Sequence, residues 1–218
     1  PRRKGAMDAL VAQVRRGGAQ ILIGTQMLAK GHDFPNVTLV GVLDGDQGLY
    51  GTDFRASERM AQLITQVTGR AGRAEKPGDV IIQTHHPDHP LLQTLLRQGY
   101  LRFAEALINE RREAALPPFA SLALLRAEAP GAADPMAFLE AARDQGQPLA
   151  GSEEVMLLGP IPAPMERRAG RYRAQLMISA DDRAPLHRFL DRWLPTVEGL
   201  KLGRKVRWSL DVDPMETV

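Results

Sequence analysis

The chain has no cysteine among its 218 residues. Neither a disulfide framework nor a thiolate metal site can therefore form within it, and a reducing compartment fits that composition. It has no apolar run of membrane-spanning length, and its basic opening, Pro1-Arg2-Arg3-Lys4, leads into an amphipathic stretch rather than the apolar centre of a secretion signal. Export and membrane insertion are both unexpected, and the expected location is cytoplasmic. Net charge is scarce as well: 28 basic residues against 26 acidic ones leave +2. So weak an overall field gathers no polyanion by itself, and any nucleic-acid contact must be local. A G-x-x-x-x-G-K-[ST] phosphate loop is missing, and no internal repeat is present. The first residue is not Met, which fits a piece of a longer chain.

What is present is an ordinary globular composition, 44% apolar and 25% charged, in a length that suits two modest domains. Met7, Leu10, Val11 and Val14 recur at helical spacing over residues 6–16, and Gly17-Gly18 supplies a stop. Ile21-Leu22-Ile23, Val37 to Leu43 and Val80-Ile81-Ile82 read as short strands buried on both faces. Between the last two, Arg55 to Thr68 reads as a helix with Met60, Leu63, Ile64 and Val67 as its apolar stripe. This order predicts a parallel sheet covered by crossover helices over residues 1–88. Residues 89–118 form a helical linker, broken near Gly99 and closed by Leu116-Pro117-Pro118. Residues 119–218 then read as strand 119–128, helix 135–146, strand 155–158, strand 171–179, helix 183–194 and strand 205–212. That βαββαβ order predicts a ferredoxin-like α+β domain, with the proline-spaced run 159–164 as a stiff connector.

Two segments carry chemistry. In Gln66-Val67-Thr68-Gly69-Arg70-Ala71-Gly72-Arg73 the two arginines stand three positions apart, so both guanidinium groups share one helix face. Paired planar cations suit a phosphate chain, and the adjacent glycines permit close approach. Gly24-Thr25-Gln26-Met27-Leu28-Ala29-Lys30-Gly31-His32-Asp33-Phe34-Pro35 begins where a strand ends. Backbone amides and a hydroxyl at such a turn form an anion site that a nucleic-acid phosphate can occupy. A lone arginine near a helix end, or a lone Gly-Thr after a strand, is routine structure; both segments in one α/β layer, in this order, are specific.

Together the segments resemble motifs V and VI of superfamily-two helicases. With Asp53-Phe54-Arg55, Gln83-Thr84-His85-His86-Pro87, Leu116-Pro117-Pro118, Leu158-Gly159-Pro160 and Asp211-Val212-Asp213-Pro214, the chain is similar over nearly its whole length to the primosomal replication-restart helicases. The resemblance implies a remnant of a second RecA-like lobe and a C-terminal domain. It also implies ATP-driven 3′-to-5′ unwinding at stalled forks and primosome assembly with single-strand binding protein and other primosome proteins. On that basis Arg70 and Arg73 are the candidate catalytic residues on the ATP phosphates, one as an arginine finger, and Gln66 senses nucleotide. Gly31 and Asp33 lie near the nucleotide, while Thr25, Gln26 and Lys30 touch the translocated strand. The phosphate loop, the acidic motif that holds Mg2+ and the zinc-binding insertion would precede Pro1. These 218 residues are therefore expected to bind no metal and to hydrolyse no ATP alone.

Other clusters are read more plainly. Asp44 and Asp46 end a strand and are expected to fix the loop and nearby arginines. His32, His85, His86 and His89 form no complete ligand set and are read as loop histidines. Asp53, Arg55, Glu58 and Arg59 read as a solvated helix start. In the C-terminal domain Arg167, Arg168, Arg171 and Arg173 accompany Tyr172, and Lys201, Arg204, Lys205 and Arg207 accompany Trp208. Such cations and rings can hold forked or single-stranded DNA, and the same patch would suit an acidic protein tail. Two alternatives are a non-enzymatic scaffold that keeps a degraded lobe and another superfamily-two translocase of RecG type, for which the βαββαβ domain is not expected.

Overall fold

The computed structural model describes residues 12–14, 16, 18, 20–24, 37–51, 53–68 and 79–217. The chain divides into two compact units, residues 1–51 with 55–107 and residues 52–54 with 108–218. Among the described residues no helix is long and apolar enough to cross a membrane.

In the first unit, strand β1 (Leu39–Val42) pairs in parallel with β2 (Asp79–Ile82), Leu39 opposite Asp79 and Val42 opposite Ile82. Parallel strands need a crossover, and the connection carries a one-turn helix, α1 (Asp46–Leu49), and a longer one, α2 (Ala56–Thr68). Met60, Ala61, Ile64 and Val67 are the buried positions of α2, at the spacing of one helix face. Helix α3 (Pro90–Glu113) bends at Gly99, whose φ of 83° and ψ of 177° lie where a side chain is strongly disfavoured. Leu91, Leu92 and Leu95 from before the bend, and Phe103 and Leu107 after it, join α2 in one core.

The strands of this unit are less buried than their composition predicts. Leu39 and Ile81 remain 59% and 60% exposed. Ile21 to Ile23, expected as a strand, forms none, with Ile21 79% and Ile23 87% exposed. Runs of β-branched residues report that a strand can be buried; what covers each face depends on neighbouring elements, and here only one face of β1 and β2 is even half covered.

The second unit has the expected βαββαβ order: β3 (Ser121–Ala129), α4 (Ala133–Ser152), β4 (Val155–Arg168), β5 (Arg171–Ala180), α5 (Arg183–Glu198) and β6 (Arg207–Val212). Its four-stranded sheet runs β4-β5-β3-β6, every neighbouring pair antiparallel, the arrangement of a split βαβ sandwich. Ala123, Leu125 and Ala127 of β3 alternate with residues of the other face and meet Leu176 and Ile178 of β5 on the helix side. Phe138 and Leu139 of α4, with Leu186, Phe189 and Trp193 of α5, complete that core. The Trp193 indole donates to the Ala142 carbonyl at 2.8 Å, tying the helices together.

Three boundaries differ from sequence expectation. Helix α4 continues through Pro148 to Ser152, and α5 through Pro195 to Glu198. Each interior proline forgoes a hydrogen bond, but the extra turns bury Ala150 and Val197, and packing outweighs propensity. The proline run 159–164 is no connector: it lies inside β4, which is an edge strand with register shifts between Leu158 and Ile161 and between Pro162 and Arg167. Prolines are tolerated there because an edge strand leaves one side of its backbone unpaired.

Glu153, which follows α4, accepts from Arg188 at 2.9 Å and from Arg192 at 2.8 Å. Those hydrogen bonds hold its carboxyl below the usual range, Arg188 being the larger cause. A depressed folded-state pKa contributes stability that is present above the unfolded value and lost as pH falls through the folded one. Glu153→Gln is therefore expected to lower thermal stability at neutral pH and to flatten the loss on acidification through the carboxylate range; parallel pH profiles for both proteins would count against the linkage. A second variant tests the helix contact. A Cβ on Gly146 would lie 2.8 Å from Trp193 Nε1 and 3.2 Å from Leu157 Cδ1. Overpacking of about 1–3 kcal/mol should exceed the ~1 kcal/mol gained in helix propensity. Gly146→Ala should thus lower the denaturant midpoint read from tryptophan emission; an unchanged or higher midpoint would mean the contact relaxes freely.

Candidate nucleic-acid interface

In the first unit the loops at the carboxyl ends of β1 and β2, where α/β sheets gather function, are joined by one carboxylate. Asp46, at the start of α1, accepts from the Thr84 hydroxyl and, at 2.9 Å, from the His85 amide. These bonds, Thr84's first, lower its pKa. Asp44 accepts from the Gln47 amide at 2.6 Å. The two aspartates do fix the loop, and their partners among the described residues are Thr84, His85 and Gln47. His86 and His89 stand edge-on to the Tyr50 ring, with centroids 4.8 and 5.6 Å away. Among the described residues no group of three or more acidic or histidine side chains could hold a metal.

Of the nucleotide candidates, Gln66 is described: it lies half-buried near the end of α2. Thr68, in the final turn, returns its hydroxyl to the Ile64 carbonyl at 2.7 Å. Gly31, Asp33, Arg70 and Arg73, and the candidate DNA contacts Thr25, Gln26 and Lys30, lie outside the described residues, as does His32. Asp53 corrects the reading of a solvated helix start, because it is only 5% exposed, and Arg55, Glu58 and Arg59 are half-buried.

The second unit assembles its basic residues by register. Arg207 of β6 and Arg173 of β5 both stand opposite Glu128 of β3. Directly opposed residues share a face, so the row Arg207-Glu128-Arg173 lies on the side of the sheet away from the helices. Arg171 reaches Glu128 through a 3.0 Å ion pair and stands opposite Arg168. Clusters that are more than thirty residues apart in sequence thus meet at one end of one sheet face. Five basic side chains, counting Arg126 two residues before Glu128, are only partly neutralised by Glu128 and by Asp211, which Arg126 engages at 2.7 Å.

The cation-and-ring cluster of 167–173 is split by strand alternation. Arg167 and Tyr172 oppose each other and turn to the helix side, the guanidinium 5.2 Å from the ring centroid. Arg168, Arg171 and Arg173 take the other side, where Arg173 donates to the Met165 carbonyl at 3.4 Å. Trp208 is not a surface platform: it packs against the core and stacks on Phe138 at 5.9 Å. Lys201 and Arg204 begin and end a short 3-10 helix (Lys201–Arg204) and are exposed, as is Lys205. Arg126 and Glu128, which organise the face, were missed from sequence because neither sits in a charge cluster; the only signal was their place on a central strand.

Comparison with known proteins agrees with both units. Residues 3–75 match the family described as helicase conserved C-terminal domain, and residues 112–215 match the primosomal protein N C-terminal domain. The chain is 45% identical over 216 residues to the replication restart protein PriA of Haemophilus influenzae and 40% identical over 212 residues to that of Bacillus subtilis. These alignments take in 98% and 97% of the chain. The chain belongs to the PriA family. It spans 29% and 26% of the length of those two PriA relatives. A third PriA, from Chlamydia trachomatis, is 52% identical over 119 residues, 55% of this chain and 16% of that relative. The α/β first unit is consistent with the RecA-like lobe of such helicases, and the antiparallel second unit corresponds to the C-terminal domain of PriA.

The arginine row, with Arg207 exposed and Arg173 half-buried, sets an expectation for single-stranded DNA. Arg173→Ala and Arg207→Ala should each weaken binding of a labelled oligothymidylate roughly uniformly across sequences and reduce the salt dependence by about 0.7 in slope per lost phosphate contact. Glu128→Gln should act in the opposite direction. Titrations followed by fluorescence anisotropy at several salt concentrations measure both, and insensitivity to all three substitutions would remove this face from consideration.

Proposed function

We propose that the chain serves as the nucleotide-responding lobe and C-terminal domain of an ATP-dependent 3′-to-5′ DNA helicase that recognises stalled replication forks and initiates primosome assembly. The observation that carries this reading is the joint presence, in one chain, of the paired-arginine segment after α2 and the C-terminal domain matched to primosomal protein N. The second of these favours replication restart over a RecG-type translocase, and the intact arginine pair favours a motor over a scaffold.

In this reading Arg70 and Arg73 donate to the phosphate oxygens of ATP, and one of them stabilises the charge that develops on the transferring phosphoryl group. Gln66 senses the nucleotide from the end of α2, whose buried stripe of Met60, Ala61, Ile64 and Val67 holds that helix against its core. Gly31 and Asp33 complete the nucleotide side, and Thr25, Gln26 and Lys30 follow the translocated strand. Closing and opening of the nucleotide cleft then moves DNA contacts in step with hydrolysis. ATP with Mg2+ supplies the phosphoryl chemistry when bound; the phosphate loop, the magnesium-binding acids and the zinc ligands belong to other parts of the protein, so these residues alone neither turn over ATP nor bind zinc. Forked and single-stranded DNA, single-strand binding protein and other primosome proteins are the partners, in the cytoplasm.

The arginine assignment is tested in the complete protein. Arg73→Ala should nearly abolish DNA-stimulated ATP hydrolysis while leaving fork affinity within about a few-fold, because an arginine finger acts on the transition state rather than on the bound ground state. Undiminished turnover in that variant would remove the motor role of this segment.

A further inference from the structure

The sheet face that carries the arginine row is partly covered by the chain itself. After β6 the backbone turns, with the Asp213 amide donating to the Leu122 carbonyl at 2.9 Å, and residues 213–217 run back over the face opposite the helices. Arg126 donates to the carbonyl of Glu216, and the Gln175 amide donates to that of Thr217 at 3.0 Å. Gln175 and Thr217 are 6% exposed each. Arg126 and Gln175 are cross-strand partners, so the segment is clasped at one level of the sheet. Glu128, between Arg173 and Arg207, is the next residue of β3 on that face, about 7 Å further along.

The segment also brings an acid to the basic face: Glu216 is exposed above Arg126, while Asp213 at the turn pairs at 3.4 Å with Arg183 at the start of α5. A backbone that offers carbonyl oxygens to Arg126 and Gln175, and acidic side chains to the surroundings, presents the same acceptor chemistry as a sugar-phosphate strand.

We propose that residues 213–217 form a displaceable strap over a single-stranded DNA site, and that Arg126 and Gln175 are phosphate contacts of that site, engaged by the strap until DNA replaces it. The proposal rests on the nucleic-acid reading of this face and adds its regulation. The strand would enter at Arg173 and Arg207, where the strap does not reach, and advance toward Arg126. Arg126 keeps its ion pair with Asp211 through one terminal nitrogen, leaving the other to pass from Glu216 to a phosphate. Departure of the strap also removes Glu216 from the face, so its field becomes more positive as the site opens.

The test uses the 218-residue chain, the chain lacking residues 215–218, and that truncated chain with Arg126→Ala, each titrated with a fluorescein-labelled oligothymidylate. Truncation should tighten binding by at least about threefold and steepen the salt dependence by about 0.7, and Arg126→Ala should undo both changes. Equal or weaker binding by a truncated chain whose tryptophan melting curve is intact overturns the strap alone. No binding by either chain overturns the nucleic-acid reading as well. Because these 218 residues contain no cysteine, a dye on Met215→Cys reports the strap in the untruncated 218-residue chain, whether or not the truncated one folds. Saturating oligothymidylate should lower the dye's anisotropy as the strap is released. A dye unaffected by bound oligothymidylate overturns the proposal, and so does one released by an acidic peptide but not by DNA.

Discussion

Glu128 faces Arg173 on one neighbouring strand and Arg207 on the other, and this register of β3 governs the whole second unit. Alternate residues of β3 either enter the helix-side core, as Ala123, Leu125 and Ala127 do, or turn to the opposite face, as Arg126 and Glu128 do. A slip of one residue would exchange the two sets, placing two charged side chains among Phe138, Leu186 and Phe189. Burial of an unpaired charge is far costlier than loss of a surface ion pair. The apolar core thus enforces the position of the arginines, although it touches few of them.

A comparable economy operates in the first unit, where one carboxylate holds two loops. Asp46 ties the turn after β1 to the segment after β2 by satisfying a hydroxyl and a backbone amide. Because a carboxylate accepts through both oxygens, it fixes relative loop position without any packed apolar surface. Strands β1 and β2 themselves remain largely open on one face, so polar bonding carries a share of the local order that packing carries in the second unit.

Much of this was legible in the residue pattern. The βαββαβ order, the helix stripe of Met60, Ile64 and Val67, and the break at Gly99 all follow from periodicity and backbone chemistry, which act over a few residues. Helix ends at Pro148 and Pro195 were misjudged because a local penalty was outweighed by the tertiary burial of Ala150 and Val197. Trp208 and Tyr172 looked alike in sequence, each beside several cations, yet Trp208 stacks on Phe138 while Tyr172 meets Arg167. Arg126 and Gln175 gave no local signal, since their importance comes from the strand opposite and from a segment that follows. The paired-arginine and Gly-Thr segments stand out because the helicase motifs they resemble are defined by short spacing, the kind of information a linear sequence preserves.

Strand β4 carries one further consequence. It is a long outermost strand with Met156, Leu158, Ile161 and Met165 all about half exposed, the composition on which unrelated chains could zip into sheet polymers. Pro160, Pro162 and Pro164 remove three amide donors from its middle, and the two register shifts bend it out of line. An apolar rim can therefore stay in water without recruiting copies of itself.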